Sequence, residues 1–572
     1  MKRGQVLILG LAAVAIAVMA LIASGGGKDD GGGSGSAAST STTATGPVQR
    51  APDGAVVVSF AYSPEKDTLL KPLIARFNAS GAKAAGRPVF VQGTSVASGD
   101  SELAIAKGRS KPVAWSPASS LWGRLLNFEA DQSYVAAENP SLVRTPLVIA
   151  MWEPMARALG WPKKKLGWAD VLRLARSGAG WGDFGHPEFG DFKLVHTNPD
   201  FSTAGLSSVV AEYYSATGKK EGLVESDLPA ARAKVKAIES SIVHYGDTTL
   251  FIEDQLKQDG PGYASAAAME EATLVDFNQH RGSQGRLVAI YPREGTFYSD
   301  DPYITLDAPW VSAEQKQGSA AFAKFLSAAL TPEAVAKYGF RPGDVNAKPV
   351  APLDASNGVD PEQPARVLGL PEPRVLAALK TAWREDRKPA NVLLVLDTSG
   401  SMIQEQRLGR AKQGLESFLS QVQPQDHVGL TAFSDEIRPL VALGPLDDDN
   451  KARLREAVAG VNASGGTKIY DVAVAAVDDV ARVADKSRIN AVVLLTDGED
   501  TDSGRTAEDV IRRLQAQGDS SRRVRVFTIA YSAGAAGAAQ TLAKIAAASG
   551  GKSYEGTTSD IESVYRSISS FF

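Results

Sequence analysis

Asn391 to Met402 reads NVLLVLDTSGSM, an apolar run that ends in three oxygen-bearing side chains at alternate positions, Asp397, Ser399 and Ser401. Asn391 to Leu396 is short and rich in leucine and β-branched residues, which fits a central strand of a parallel sheet covered by helices on both faces. Such sheets bind ligands at the loops leaving the carboxyl ends of their strands. Two hydroxyls and a carboxylate placed there form an oxygen donor set, which hard Mg²⁺, Mn²⁺ or Ca²⁺ prefers over thiolate or imidazole. Asp, Ser and Gly also build ordinary turns and helix caps, so the stretch needs support from elsewhere in the chain.

That support lies downstream. Ser464 to Thr467 reads SGGT and opens a helical pattern over Ile469 to Val483, and Ala491 to Gly498 reads AVVLLTDG, a second apolar strand ending in an acid, Asp497. Around them, helices are expected at Gln406 to Val422, Asp449 to Val461, Ala507 to Gln517 and Asp560 to Phe571, and strands at His427 to Phe433 and Val524 to Tyr531. This alternation predicts a doubly wound, Rossmann-like α/β domain over 389–572. The acidic loop Gly498 to Ser503 either biases the rim toward cations and basic partners or simply caps the next helix.

With Asp397, Ser399, Ser401, Thr467 and Asp497 in this order, the segment resembles a von Willebrand factor A domain with a complete metal-ion-dependent adhesion site, MIDAS. The resemblance implies that the serines and the threonine bind a divalent cation directly, that the aspartates act largely through water, and that the ion is most often Mg²⁺, with Mn²⁺ or Ca²⁺ as alternatives. It also implies an open position for a carboxylate from a partner protein. A purely structural metal that ties three loops together is the competing reading.

The front of the chain sets the compartment. Lys2 and Arg3 precede an uncharged run from Val6 to Ala23, about 18 residues, at the lower edge of what crosses a bilayer as a helix. Residues 1–24 are therefore read as a single-pass anchor with the bulk of the chain extracytoplasmic. A cleaved signal peptide, which would leave the protein secreted, is the alternative. Residues 25–53 are Gly, Ser, Thr and Ala with little to bury, a flexible tether. The 572 residues contain no cysteine, which excludes a lipid-anchored cysteine, disulfides and thiolate chemistry. The five histidines do not pair at ligand spacing, so zinc chemistry is not expected. A net charge of −4 and the lack of a basic run interleaved with aromatics exclude a nucleic-acid footprint.

Residues 54–388 form the other block. Strand patterns at Ala55 to Ala61, Val89 to Ser95 and Pro112 to Leu121 each run into hydroxyl-bearing turns at a helix start, and Leu194 to Leu206 (LVHTNPDFSTAGL) repeats the device. Turns of this kind place backbone N–H groups and hydroxyls in one cleft, suited to an anion or polar solute. The candidate contacts are Tyr62, Ser63, Thr94, Ser95, Ser119, Ser120, Ser202 and Tyr298, each of which also reads as a helix cap. Arg144 and Arg293 lie near these turns in sequence but not within them. The block resembles a type II bacterial extracellular solute-binding protein through AWSPASSLW (114–122), TPLVIAMWEP (145–154), HTNPDFSTAGL, PREGTFYSDDPY (292–303) and AVAKYGFRP near Arg341. Two lobes around a cleft are implied. Pro342 to Pro373 reads as an irregular connection, and Pro371 to Trp383 as an amphipathic helix of the front block. The short stretch after it predicts a restricted orientation between the two modules.

Anchor, tether, solute-binding-like domain and A domain together resemble a bacterial family in which these modules are fused. The expected function is protein recognition through the metal site, with the front domain as scaffold or ligand sensor. The alternative is a solute receptor for an ABC importer with the A domain as a docking accessory. No enzyme is expected: GxSxG and HExxH are absent, Gly551, Lys552 and Ser553 follow a helix where a phosphate loop follows a strand, and no histidine stands near Ser399 or Ser401 to act as a base.

Overall fold

The computed structural model describes residues 50–572 apart from 532–535 and 558–559. The segment read as an anchor (1–24) and nearly all of the tether (25–53) lie outside the described residues. Among the described residues, no helix is long and apolar enough to cross a membrane.

The strand Ala390–Asp397 is buried along its whole length. It runs parallel to both neighbours, so that Leu394 faces Leu430 of His427–Phe433 on one side and Val493 of Ile489–Thr496 on the other. Val524–Tyr531 and Ser553–Gly556 continue the parallel order, and Ile437–Pro445 closes the opposite edge antiparallel, giving six strands. Alternate side chains feed two cores: Leu393 and Val395 pack with Val472 and Val477 on one face, and Leu394 and Leu396 share the other core with Leu415 and Phe418. Burial on both faces explains why the strand reads as continuous apolar sequence rather than an alternating pattern.

The front block holds two sheets. In the first, Ala114–Ser116, Val56–Tyr62 and Arg87–Ser95 are parallel, flanked by the short antiparallel strands Ile304–Thr305 and Lys83–Ala84. In the second, the ten-residue strand Val143–Trp152 pairs antiparallel with Ala266–Glu270, Leu287–Ile290, Tyr298–Ser299 and Arg341–Pro342, and Leu194–Thr197 and Ile242–Gly246 extend the sheet. The third expected strand shrinks to Ala114–Ser116, because Pro117 ends the extended run and the helix Leu121–Ala130 begins.

Helix Pro373–Asp386 packs on the second lobe. Trp383 Nε1 donates to Glu239 at 3.0 Å, Arg384 forks onto Asp200 at 2.6 and 2.7 Å, and Arg232 forks onto Asp386 at 2.6 and 2.8 Å. From there the chain enters the A domain with no free linker: Arg387 pairs with Asp426 at 2.6 Å, both buried, and Lys388 Nζ donates to the Ile242 carbonyl at 2.7 Å. Ion pairs Arg523–Asp259 and Lys552–Asp247 cross the junction, as does Lys193–Asp519 at 3.1 Å, and Phe571 packs edge-on against Phe251 at 5.0 Å. The restricted orientation rests on one buried ion pair, several partly exposed ones and aromatic packing.

Candidate metal centre and interlobe cleft

At the carboxyl edge of the A-domain sheet, Asp397 is fully buried and both its carboxylate oxygens are occupied. Oδ1 accepts the Ser399 backbone N–H at 2.7 Å and Oδ2 accepts the Thr496 hydroxyl at 2.5 Å. Burial, with the nearby charge of Asp497 adding to it, pushes Asp397 up to about 6. Ser399 Oγ lies 2.9 Å from Ser401 Oγ, which donates to Asp497 Oδ1 at 2.7 Å. The SGGT loop is laced to this turn: the Gly400 N–H donates to the Gly465 carbonyl at 3.0 Å and the Ser464 N–H to the Thr398 carbonyl at 2.8 Å. Thr467, 5% exposed, is held from the other side by its N–H to Thr501 Oγ1 at 2.9 Å. The fold therefore ties the loops carrying all five predicted residues to one rim.

Gly465 is required there, and Gly466 is closely packed. Gly465 adopts φ +83°, and a Cβ on it would lie 2.2 Å from Asp435 Oδ1; a Cβ on Gly466 would lie 1.6 Å from Asp502 Oδ2. One contact was not evident in the sequence. Glu405 and Gln406 take left-handed backbone conformations, φ +51° and +55°, which redirect the chain into helix Arg407–Leu419. Arg407 then reaches Asp497 Oδ2 at 2.8 Å. The donor set, three hydroxyls and two carboxylates without nitrogen or sulfur, fits a hard dication. Ser399, Ser401 and Thr467 would hold it directly, with Asp397 and Asp497 behind them.

The eight predicted cleft residues do not stay together. Ser63 and Ser202 line the space between the lobes, with Glu65, Ser98, Thr203, Asp247 and Glu270. Ser63 is engaged with Glu65 and accepts from buried Lys66 at 2.5 Å. Tyr62 instead turns its hydroxyl to Asp67 at 2.9 Å, and Thr94 and Ser95 are exposed at a strand end. Ser119 caps the Leu121 N–H at 3.3 Å, and the Ser120 N–H is taken by Asp300 at 2.7 Å. Tyr298 belongs to another cluster, accepting from Arg341 at 3.3 Å beneath the Arg144 guanidinium. None of these six lines the pocket between the lobes. The acids that do line it carry no hydroxyl signal in the sequence; Glu270 stands at a strand-to-helix turn, 4% exposed, and burial pushes it up to about 7. The pocket between the lobes is narrow, with room for water.

Residues 391–567 match the family model for the von Willebrand factor type A domain, and residues 58–341 that for bacterial extracellular solute-binding proteins. The chain carries both domains. An uncharacterized Mycobacterium tuberculosis protein is 25% identical over 493 residues, covering 81% of this chain and 69% of its own length. Human inter-alpha-trypsin inhibitor heavy chain H4 is 33% identical over 121 residues, 20% of this chain and 13% of that protein. The uncharacterized Escherichia coli protein YfbK is 25% identical over 137 residues, 23% of this chain and 24% of its own. The chain thus spans a quarter or less of these last two relatives. Among solved structures, a von Willebrand factor type A protein from Catenulispora acidiphila aligns at TM-score 0.28 and 22% identity, covering 32% of this chain and 42% of that one. A periplasmic thiamin-binding protein aligns at TM-score 0.41 and 11% identity, covering 60% and 99%. The solute-binding domain points to an extracytoplasmic setting, and A domains commonly hold a divalent metal and mediate protein interactions.

Proposed function

We propose that this is an extracytoplasmic binding protein, held at the cell membrane by the Val6 to Ala23 run, whose A-domain rim recognises a carboxylate on a partner protein through a bound Mg²⁺-type cation. The observation that carries the reading is the chain of oxygens from Ser399 through Ser401 to Asp497, knotted to the SGGT loop by the Gly400 to Gly465 hydrogen bond. When bound, the cation supplies an electrophilic position for an anionic ligand. The residues do the positioning: Ser399 N–H and Thr496 fix Asp397, and Arg407 offsets the charge of Asp497 and orients it. Because neutral hydroxyls make up most of the direct donor set, the centre keeps its affinity for a partner's negative charge. The proposal is for binding, with no bond-breaking step.

The solute-binding domain serves in this reading as a rigid scaffold or sensor. Receptor duty for an importer is the second reading, favoured by the two-lobed architecture and opposed by the acids that line the narrow pocket between the lobes. Titrating Mg²⁺ into the detergent-purified full chain tests the leading one. Saturable heat in the parent that vanishes in Asp397→Ala, with unchanged far-UV circular dichroism, is the expected result. Equal binding by both proteins would remove the rim from the account.

A further inference from the structure

A second cluster of metal-ligating side chains lies within the second lobe, far in sequence from the A-domain rim. His196 lies in the strand Leu194–Thr197, Glu212 in helix Thr203–Thr217, and Glu239 closes helix Leu228–Glu239. All three are fully buried, and one ligand atom from each lies within 4.8 Å of the others. Their separation in the chain is why histidine spacing gave no hint of them.

Three details give the cluster the anatomy of a metal site. His196 Nδ1 donates to the Thr197 carbonyl at 2.7 Å, so Nε2 faces the cluster, where without metal it donates to Glu239 Oε1 at 3.0 Å and with metal its lone pair would take that proton's place. Ligating imidazoles are held in this way, by the other nitrogen donating to a carbonyl or carboxylate. Glu239 Oε2 is fixed by the Tyr245 hydroxyl at 2.6 Å and Trp383 Nε1 at 3.0 Å, while its Oε1 faces the imidazole. Both oxygens of Glu212 are buried without a hydrogen-bond partner. An acid buried without a charge partner is costly, and the one imidazole of the cluster faces Glu239, which leaves Glu212 without a cation of its own.

We propose that His196, Glu212 and Glu239 bind a first-row transition dication of the Zn²⁺ type, in a closed structural site beneath the helix that leads into the A domain. One imidazole and two carboxylates suit such an ion better than Mg²⁺, which avoids nitrogen. The two carboxylates neutralise its charge, and a water trapped with the ion would complete the four ligands that a closed structural site needs. Glu239 anchors Trp383, and Tyr245 accepts the Lys388 N–H at 3.2 Å, so the ion would brace the junction through these two contacts.

The test uses the full chain carrying Asp397→Ala, so that the A-domain rim does not contribute. Metal content is measured by mass spectrometry after purification, and again after unfolding and refolding with Zn²⁺ or with Co²⁺, whose visible absorption reports nitrogen and oxygen ligation. The expected result is one equivalent of metal and a cobalt band, both lost on adding Glu212→Gln. That substitution imitates a protonated glutamate and is tolerated whether or not a metal is bound. A chelator present during refolding should lower the melting temperature of the parent by several degrees and leave the Glu212→Gln protein unchanged. Background metal in the folded parent after both refolding treatments, with no cobalt band, would overturn the proposal and leave a buried His196–Glu239 pair beside a protonated Glu212.

Discussion

Lys388 sits where the front domain hands the chain to the A domain, 4% exposed, with Nζ donating to the Ile242 carbonyl at 2.7 Å and no carboxylate in contact. Burial, helped by the nearby Arg525 guanidinium, lowers it from 10.5 to about 7. At 1.36 kcal/mol per pKa unit, this is a cost of up to about 5 kcal/mol for holding the charged amine in place, part of it returned by relaxation and water penetration. The unfolded chain binds the proton more tightly, so the Lys388 contribution to stability is present above about pH 10.5 and is lost as pH falls through about 7. Lys388→Met removes the charge and leaves the Ile242 carbonyl without its donor, a loss of about 1 kcal/mol. The variant's advantage should therefore shrink as pH rises: about 1–3 kcal/mol at pH 6, falling to roughly zero at pH 10, where the parent's remaining charge cost of about 0.8 kcal/mol and the lost hydrogen bond of about 1 kcal/mol nearly cancel. Urea unfolding of both proteins at pH 6, 8 and 10 measures this. Parallel curves, or a variant weaker at pH 6, would refute the buried-charge argument.

Other outcomes follow from the same geometry. Asp426→Ala strands buried Arg387 and frees the Ala390 N–H that Asp426 accepts at 2.8 Å; a loss of about 3–5 kcal/mol is expected in urea unfolding. Gly465→Ala forces a side chain into a left-handed position against Asp435 and should cost about 1–3 kcal/mol, with weaker Mg²⁺ binding in calorimetry because the SGGT loop shifts. In the metal-free protein Asp397 is held above its ordinary 3.8, at about 6, so its contribution to stability is present below 3.8 and is lost as pH rises through about 6. The same proton competes with metal: Mg²⁺ affinity should be flat above pH 7 and fall about tenfold per unit below pH 6, read from titrations at pH 5, 6 and 7.

The parallel core of the A domain was legible because strands buried on both faces have nowhere to hide their composition. Ala390–Asp397, His427–Phe433, Ile489–Thr496 and Val524–Tyr531 are all apolar runs of the expected length. Its edges were not. Ile437–Pro445 carries Pro439 and Gly444 and is half exposed, so its pattern is broken; it tolerates them because an edge strand needs only one paired side. Ser553–Gly556 is four residues long and lies beside the Gly551, Lys552, Ser553 turn, whose lysine crosses to Asp247. The rim residues follow strand ends, which sequence locates, whereas Arg407 depends on two left-handed residues that nothing in the composition announces. In the front domain, strand-to-helix turns are visible in the sequence but their burial is not, so Ser119, which caps the Leu121 N–H, reads as a ligand, while Glu65 and Glu270 of the pocket carry no sequence signal. Glu212 and Glu239 meet His196 only through helix packing on the second sheet.

The most direct test of the central claim is capture. The full chain, immobilised in detergent, is exposed to an envelope extract of its source cell in Mg²⁺, in EDTA, and as Asp397→Ala. The account predicts a protein retained only by the intact chain in Mg²⁺ and displaced by blocking that protein's surface carboxylates; the same set retained in all three conditions would contradict it.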